Sequence, residues 1–116
     1  MTQVFCSHIL VKHTGSRNPH SWRETTITRT KEQAIQKLKV LREQIVKGKK
    51  DFRQTAIIES DCSSSAQGGL LLGTIEQYQK PFADAYLKLK VGEISDIIET
   101  DSGVHIILRL PEGTTQ

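Results

Sequence analysis

The sequence predicts an α+β domain, and three observations predict it. A period-two apolar pattern opens the chain, helical periodicity fills its middle, and a hairpin pattern closes it. At 116 residues and 13.0 kDa the chain suits one hydrophobic core rather than two. With 36% hydrophobic and 25% charged residues and no excess of glycine or proline, disorder is expected only at the ends.

From Val4 to Lys12, Phe5, Ile9 and Val11 alternate with Cys6, His8 and Leu10, the pattern of a strand covered on both faces. Residues His13 to Thr28 are rich in Gly, Ser, Asn, Pro and basic side chains and lack periodicity. Connections of that length are functional or disordered. Thr30, three residues before Gln33, resembles a capping box, and Ala34, Leu38, Leu41 and Ile45 follow at helical spacing as far as Gly48. A second helix is expected from Asp51 to about Glu59, with Phe52, Ala56 and Ile57 as its buried side, ending in the polar run Ser60 to Ser65.

Gly68 and Gly69 introduce Leu70, Leu71 and Leu72, too few for a helix and read as a brief buried strand. Pro81, Phe82, Ala85, Leu87 and Leu89 suit a short helix with proline in its first turn, closed near Gly92. Ile94 to Glu99 and Val104 to Leu110 read as a hairpin around Thr100-Asp101-Ser102-Gly103. Without an internal repeat, a low-complexity block or a linker, residues 1–116 are expected to form one domain with its core at about residues 5–110.

Residues 1–50 hold 11 Lys and Arg against 3 Asp and Glu, whereas residues 51–116 hold 5 against 10, so the modest net charge of +3 hides a dipole. The basic half suits either an anionic ligand or a solvated surface. Two cysteines, Cys6 and Cys62, without a C-x-x-C spacing give neither a disulfide framework nor a zinc-ribbon signal. The start of the chain lacks the features of a signal peptide, and no stretch approaches about 20 apolar residues. A soluble protein in a reducing, intracellular compartment is expected.

His8 and His105 both lie mid-strand and point away from the most apolar side of their strands. Two readings are open: if the first and last strands are neighbours the rings share a face of the sheet, and otherwise each is a separately satisfied, half-buried histidine. A zinc site from His8, His105 and Cys62 has no support in the spacing. Cys62 follows a helix and an aspartate in a polar loop. To act as a thiolate it needs a nearby cation or helix N-terminus, and Asp61 works against it. Cys6 reads as structural. Between Lys12 and Lys31 there are five basic residues and only Glu24 acidic, in a flexible loop suited to a compact dianion such as phosphate. Few aromatic residues and no nucleic-acid module place phosphopeptide ahead of RNA or DNA.

The strings Cys6-Ser7-His8-Ile9-Leu10-Val11-Lys12-His13, Gly15-Ser16-Arg17-Asn18-Pro19 and Ser21-Trp22-Arg23 closely resemble the opening of the phospho-specific parvulins. The resemblance continues through Ile27 to Glu32, Ser60 to Ser64, Gln79-Lys80-Pro81-Phe82 and Thr100 to Ile107, in order and over roughly residues 5–110. It implies a four-stranded antiparallel sheet surrounded by about four helices, in a parvulin/FKBP-like arrangement, and a peptidyl-prolyl cis/trans isomerase. By resemblance His8 and His105 match the family's paired histidines, Cys62 its active-site cysteine, and Ser102 the hydroxyl that joins their network. Lys12 and Arg17 match phosphate-binding positions, and Leu71, Tyr78 and Phe82 are assigned to the proline pocket, with Gln79 as a further substrate contact.

Two departures stand out. Relatives often carry a second arginine where this chain has Asn18, and commonly read Gly-Gly-Asp-Leu-Gly-x-Phe followed by Gln-Met where this chain has Gly68 to Thr74 and Gln77-Tyr78. Many relatives also carry an N-terminal WW domain, and none is expected here. The implied activity is isomerisation of phosphoserine- or phosphothreonine-proline bonds by non-covalent stabilisation of the twisted imide, with no cofactor or metal. The implied partners are phosphorylated Ser/Thr-Pro segments rather than nucleic acid or membrane, met by a monomer in cytoplasm and nucleus. The altered pocket leaves open a phosphopeptide-binding module with little turnover, and Asn18 a folding helper indifferent to phosphate.

Overall fold

The computed structural model describes residues 2–115. Strand β1 (Gln3–Val11) is followed by helices α1 (Lys31–Val46) and α2 (Phe52–Glu59), strand β2 (Leu70–Thr74), helix α3 (Lys80–Lys88) and strands β3 (Ile98–Thr100) and β4 (Gly103–Arg109). Two 3₁₀ segments, Ser63–Gln67 and Ile75–Gln77, flank β2, so the helical complement among the described residues is three α-helices and two 3₁₀ segments. The four strands form one antiparallel sheet in the order β2-β1-β4-β3. Among the described residues no helix is long and apolar enough to cross a membrane.

Local signals account for most of these boundaries. The Thr30 hydroxyl accepts from the amide of Gln33 while the Gln33 side chain accepts from the amide of Thr30, which satisfies two donors at the start of α1. The Asp51 carboxylate accepts from Gln54 N–H in the same way and starts α2. Pro81 occupies the first turn of α3, where its missing N–H costs nothing.

The sheet is covered on both faces. Ile9, Val11, Val104 and Ile106 pack on Ala34, Leu38, Leu41 and Ile45 of α1 and on Phe52 and Ala56 of α2. Each large apolar side chain buried there stabilises the fold by about 1.5 to 3 kcal/mol. On the other face Val4, Cys6 and Ile107 pack on Phe82 and Tyr86 of α3. That helix is only nine residues long, and His8 and His105 on the same face form the wall of an open cleft beside it.

Three expectations are corrected. Ile57 is 39% exposed and Thr55 is buried in its place, because the face that starts at Phe52 continues at positions three and four residues on. Leu87 is 52% exposed while Tyr86, four residues after Phe82, is fully buried and gives its hydroxyl to the Phe5 amide as acceptor. The first arm of the hairpin is not a continuous strand from Ile94. The Ser95 hydroxyl accepts from the Ile107 amide in place of a backbone carbonyl, and regular pairing with β4 begins only at Ile98.

Candidate active site

Strand register brings the two histidines together. Leu10 opposes His105 and His8 opposes Ile107, so His8 and His105 are diagonal neighbours on one face. Their rings stack with centroids 5.4 Å apart, and Nδ1 of one lies 3.2 Å from Nδ1 of the other. One Nδ1 donates and the other accepts, so the contact tolerates a proton's charge on one ring and not on both. Both residues are buried, and the register and the ring contact make them a pair rather than two separately satisfied histidines. Burial and the charge of His8 hold His105 well below the usual imidazole range.

The outer nitrogens extend the chain of contacts. His8 Nε2 lies 3.2 Å from the Ser64 hydroxyl, and His105 Nε2 lies 2.6 Å from the Thr100 hydroxyl. Ser102 was expected to supply that hydroxyl. It enters through its backbone instead, its N–H donating to Thr100 Oγ1 at 3.1 Å, while its own Oγ accepts from Gln79 Nε2 at 3.1 Å. The Ser102 side chain is turned to Gln79, and Thr100, the last residue of β3, meets the ring. Gln79 also accepts from the Asp101 amide, so it clamps the β3–β4 turn from the start of α3. Gly69 approaches from the other side: with φ +77° it accepts from His8 N–H, and a Cβ there would sit 2.2 Å from the His8 carbonyl oxygen.

Cys62 lines the same cleft. Burial opposes ionisation of its thiol, but hydrogen bonds from His8 and Ser64 and the charge of His8 outweigh it and lower the thiol to about 6. The expected interference from Asp61 is absent because that carboxylate is turned away and engaged. It accepts from Lys12 N–H at 2.9 Å and from the Ser21 hydroxyl at 2.9 Å, and lies 3.3 Å from Arg29 and 3.7 Å from Arg23. Cys6, on the apolar side of α3, is pushed up to about 12 by burial.

The side of the cleft next to α3 has aromatic walls. Phe82 meets both histidines edge-on, at 5.6 and 5.5 Å, and Tyr78 stacks on Phe82 at 5.3 Å. The Tyr78 hydroxyl donates to Leu72 O at 2.7 Å, which fixes the ring against β2, and Leu71 completes the wall. Leu71, Tyr78, Phe82 and Gln79 thus meet in one cleft of about 370 Å³ with His8, Cys62 and His105.

A second cleft of about 470 Å³ adjoins it and is lined by Lys12, Arg17, Asn18 and His20. Leu10, Arg17, Cys62 and Ser102 line both. The long loop from Lys12 to Arg29 is ordered by the contacts to Asp61 and by the Arg17 amide, which donates to Asp101 O at 2.7 Å. The Arg17 guanidinium makes no ion pair among the described residues, and Lys12 Nζ donates only to the His20 carbonyl, at 2.7 Å. Among the described residues no group of three or more His, Cys, Asp and Glu side chains is placed to hold a metal ion.

Sequence reasoning missed Thr100 and Asp61 as parts of this site. Thr100 stands two residues from Ser102 in the same turn, so only side-chain direction separates them. Asp61 stood out only as a neighbour of Cys62, although an acidic residue beside an excess of basic loop residues was the available signal.

Residues 8–110 match the family described as Rotamase, PPIC-type PPIASE domain. Peptidyl-prolyl cis-trans isomerase Pin1 of Arabidopsis thaliana is 52% identical over 113 residues, covering 92% of this chain and 94% of its own length. Peptidyl-prolyl cis-trans isomerase pin1 of Schizosaccharomyces pombe is 50% identical over 110 residues, and this chain spans 62% of it. Among solved structures, peptidyl-prolyl isomerase ESS1 from Candida albicans superposes with a TM-score of 0.91 at 46% identity. That match covers 94% of this chain and 63% of the other.

Proposed function

This chain belongs to the PPIC-type peptidyl-prolyl cis/trans isomerase family and is an enzyme of that class, and from that premise we propose that it turns phosphoserine- and phosphothreonine-proline bonds. The observation that carries the proposal is the junction of two clefts across Leu10, Arg17, Cys62 and Ser102. One cleft is cationic, the other aromatic, and the imidazole pair lies at the second. Adjacent residues of a peptide, one phosphorylated and the next a proline, carry the matching groups in the matching order.

The imide bond has a barrier of about 18 to 20 kcal/mol because of its partial double-bond character. A thousandfold acceleration requires selective stabilisation of the twisted form by about 4 kcal/mol. Lys12 and Arg17 hold the phosphate, and Phe82, Tyr78 and Leu71 hold the proline ring, so the bond between the two anchors is the one free to turn. Twisting removes the resonance and shifts electron density at the imide. An already hydrogen-bonded array, buried His8 and His105 with half-buried Thr100 and Cys62, meets that change without reorganising. No bond to Cys62 is formed in this scheme. The partners are phosphorylated Ser/Thr-Pro segments of other proteins, met by a monomer, and free thiols at Cys6 and Cys62 suit action in cytoplasm and nucleus.

The test neutralises the cationic side. With Lys12→Ala and Arg17→Ala combined, kcat/KM for a phosphorylated Ser-Pro peptide is expected to fall by at least about tenfold while that for the unphosphorylated peptide stays within about twofold. Equal treatment of both peptides before and after the double substitution would refute the phosphate assignment and leave an isomerase indifferent to phosphate.

A further inference from the structure

We propose that His13 is a positioning residue for the phosphate site: its neutral imidazole closes the turn that sets Arg17 against Lys12, so protonation of the ring loosens phosphate recognition. The inference rests on the phosphate reading of the Lys12 and Arg17 cleft and adds to it a residue and its regulation. Residues 13–16 separate the two cations, with Lys12 immediately before them and Arg17 immediately after. Three hydrogen bonds close that turn, and His13 takes part in each. Its carbonyl accepts from Ser16 N–H at 3.0 Å, its own N–H donates to Ser16 Oγ at 3.0 Å, and its Nδ1 accepts from Gly15 N–H at 3.0 Å. The ring lies close over the turn, since a Cβ on Gly15 would come within 3.2 Å of Nδ1 and Cε1. His13 and Ser16 are buried, and the turn is tied to its neighbours: Thr14 N–H donates to Arg29 O at 2.9 Å and Arg17 N–H to Asp101 O at 2.7 Å.

A side chain that accepts from the N–H two residues on does for this turn what Asn or Asp does in an Asx-turn. Asparagine offers that acceptor at every pH. Imidazole offers it only while Nδ1 is unprotonated, because both ring nitrogens of the cation are donors. Protonation sets two donors, Nδ1–H and Gly15 N–H, against each other across 3.0 Å, and the turn must open to separate them. The surroundings favour the neutral ring. Burial, followed by Lys31 at the start of α1, holds His13 below the usual imidazole range against the pull of Glu99 on β3 and Glu32 on α1. Lys31 and Glu99 are themselves an ion pair, which blunts the effect of each. Arg29 and Asp101 reach the turn through their backbone carbonyls, and the Arg29 guanidinium is engaged by Glu24, Asp61 and the Lys12 carbonyl. The turn is built for a neutral ring and keeps the two cations in register only while the ring stays neutral.

The test measures kcat and KM for a phosphorylated Ser-Pro peptide and its unphosphorylated twin, with the wild-type chain, His13→Asn, His13→Leu and Arg17→Ala, at about pH 8 and about pH 5. The phosphate itself titrates near pH 6, so each variant is compared with wild type at the same pH, where that titration cancels. At the higher pH His13→Leu, which has no acceptor, should raise KM for the phosphopeptide about three- to tenfold and leave kcat, and both constants for the twin, within about twofold. His13→Asn should match wild type there. At the lower pH His13→Asn should show the lower KM, and wild type should approach His13→Leu. Damage to the fold would instead weaken both peptides alike and show no rescue by asparagine. His13→Asn failing like His13→Leu, or a wild-type KM that keeps the same ratio to both variants at both pH values, overturns the role of His13, and Arg17→Ala still selectively weakening the phosphopeptide then leaves the phosphate reading intact. Phosphopeptide and twin turned over alike, with Arg17→Ala affecting neither, overturns both.

Discussion

The backbone amide of Lys12 donates to the carboxylate of Asp61, the residue immediately before Cys62, so the cationic loop and the thiol segment are fixed to one another through one buried side chain. The same carboxylate takes the Ser21 hydroxyl and faces Arg23 and Arg29. A carboxylate with several donors and two guanidinium neighbours orders a loop that has no regular secondary structure of its own.

Asp61→Asn keeps the shape of the side chain and removes its charge, leaving Arg23 to Glu24 and Glu59 and Arg29 to Glu24. Both guanidinium groups keep a carboxylate partner, so the loss is that of the charge-assisted hydrogen bonds to Asp61, about 2 kcal/mol. Chemical denaturation should register that loss. Phosphopeptide affinity should fall by more than affinity for the unphosphorylated peptide, since Lys12 and Arg17 sit on the loosened loop. An unchanged denaturation midpoint would mean that Asp61 does not hold the loop.

Thr100→Val removes the hydroxyl that meets His105 Nε2 and the acceptor of the Ser102 amide. The ring nitrogen of buried His105 and the half-buried Ser102 amide are left unsatisfied, and a loss of about 2 kcal/mol is expected by denaturant titration. Ser102→Ala leaves the His105 contact in place and should cost less than half as much. The reverse ranking would return the network hydroxyl to Ser102.

Stability should also fall in mild acid. Burial, followed by the charge of His8, lowers His105 in the folded state. Burial, followed by Lys31, lowers His13 against the opposing pull of Glu99 and Glu32. Below the unfolded value of about 6.5 the unfolded chain takes up protons that the folded chain resists. The contribution of these histidines is therefore full above about pH 6.5 and declines as pH drops towards the depressed folded values. Thermal melts between about pH 7 and 5 should show that decline, and His105→Asn should reduce its slope.

Cys62, lowered to about 6, should react with iodoacetamide at a rate that rises through that pH, while Cys6, buried and raised to about 12, should stay unlabelled in the folded chain. Because the thiol forms no bond to substrate in the proposed mechanism, Cys62→Ser should keep turnover within about tenfold of wild type. Loss of all turnover with an intact fold would require a covalent role.

Much of this was legible in the sequence because short-range chemistry controls it. The Thr30 and Gln33 capping box and the stripe Ala34, Leu38, Leu41, Ile45 are local patterns, and the structure reproduces them. Strand alternation placed His8 and His105 away from the apolar side, but only the β1–β4 register made them a pair. Three-dimensional direction was the missing information elsewhere. Phe82 leads to Tyr86 rather than Leu87 because a helical face advances by four. Thr100 rather than Ser102 reaches His105, because the Ser102 hydroxyl is taken by Gln79 from the start of α3. The partners of buried Asp61 lie at positions 12, 21, 23 and 29, a set that no local pattern connects.

The central claim is that the junction of a cationic and an aromatic cleft turns phosphorylated Ser-Pro bonds. NMR exchange spectroscopy on a Ser-Pro peptide, phosphorylated and unphosphorylated, with substoichiometric protein tests it most directly. Cis/trans exchange accelerated for the phosphopeptide, and little changed for its twin, is the predicted result. Equal acceleration of both would contradict the phosphate assignment, and binding of the phosphopeptide without any acceleration would contradict the proposed catalytic role of the His8 and His105 pair.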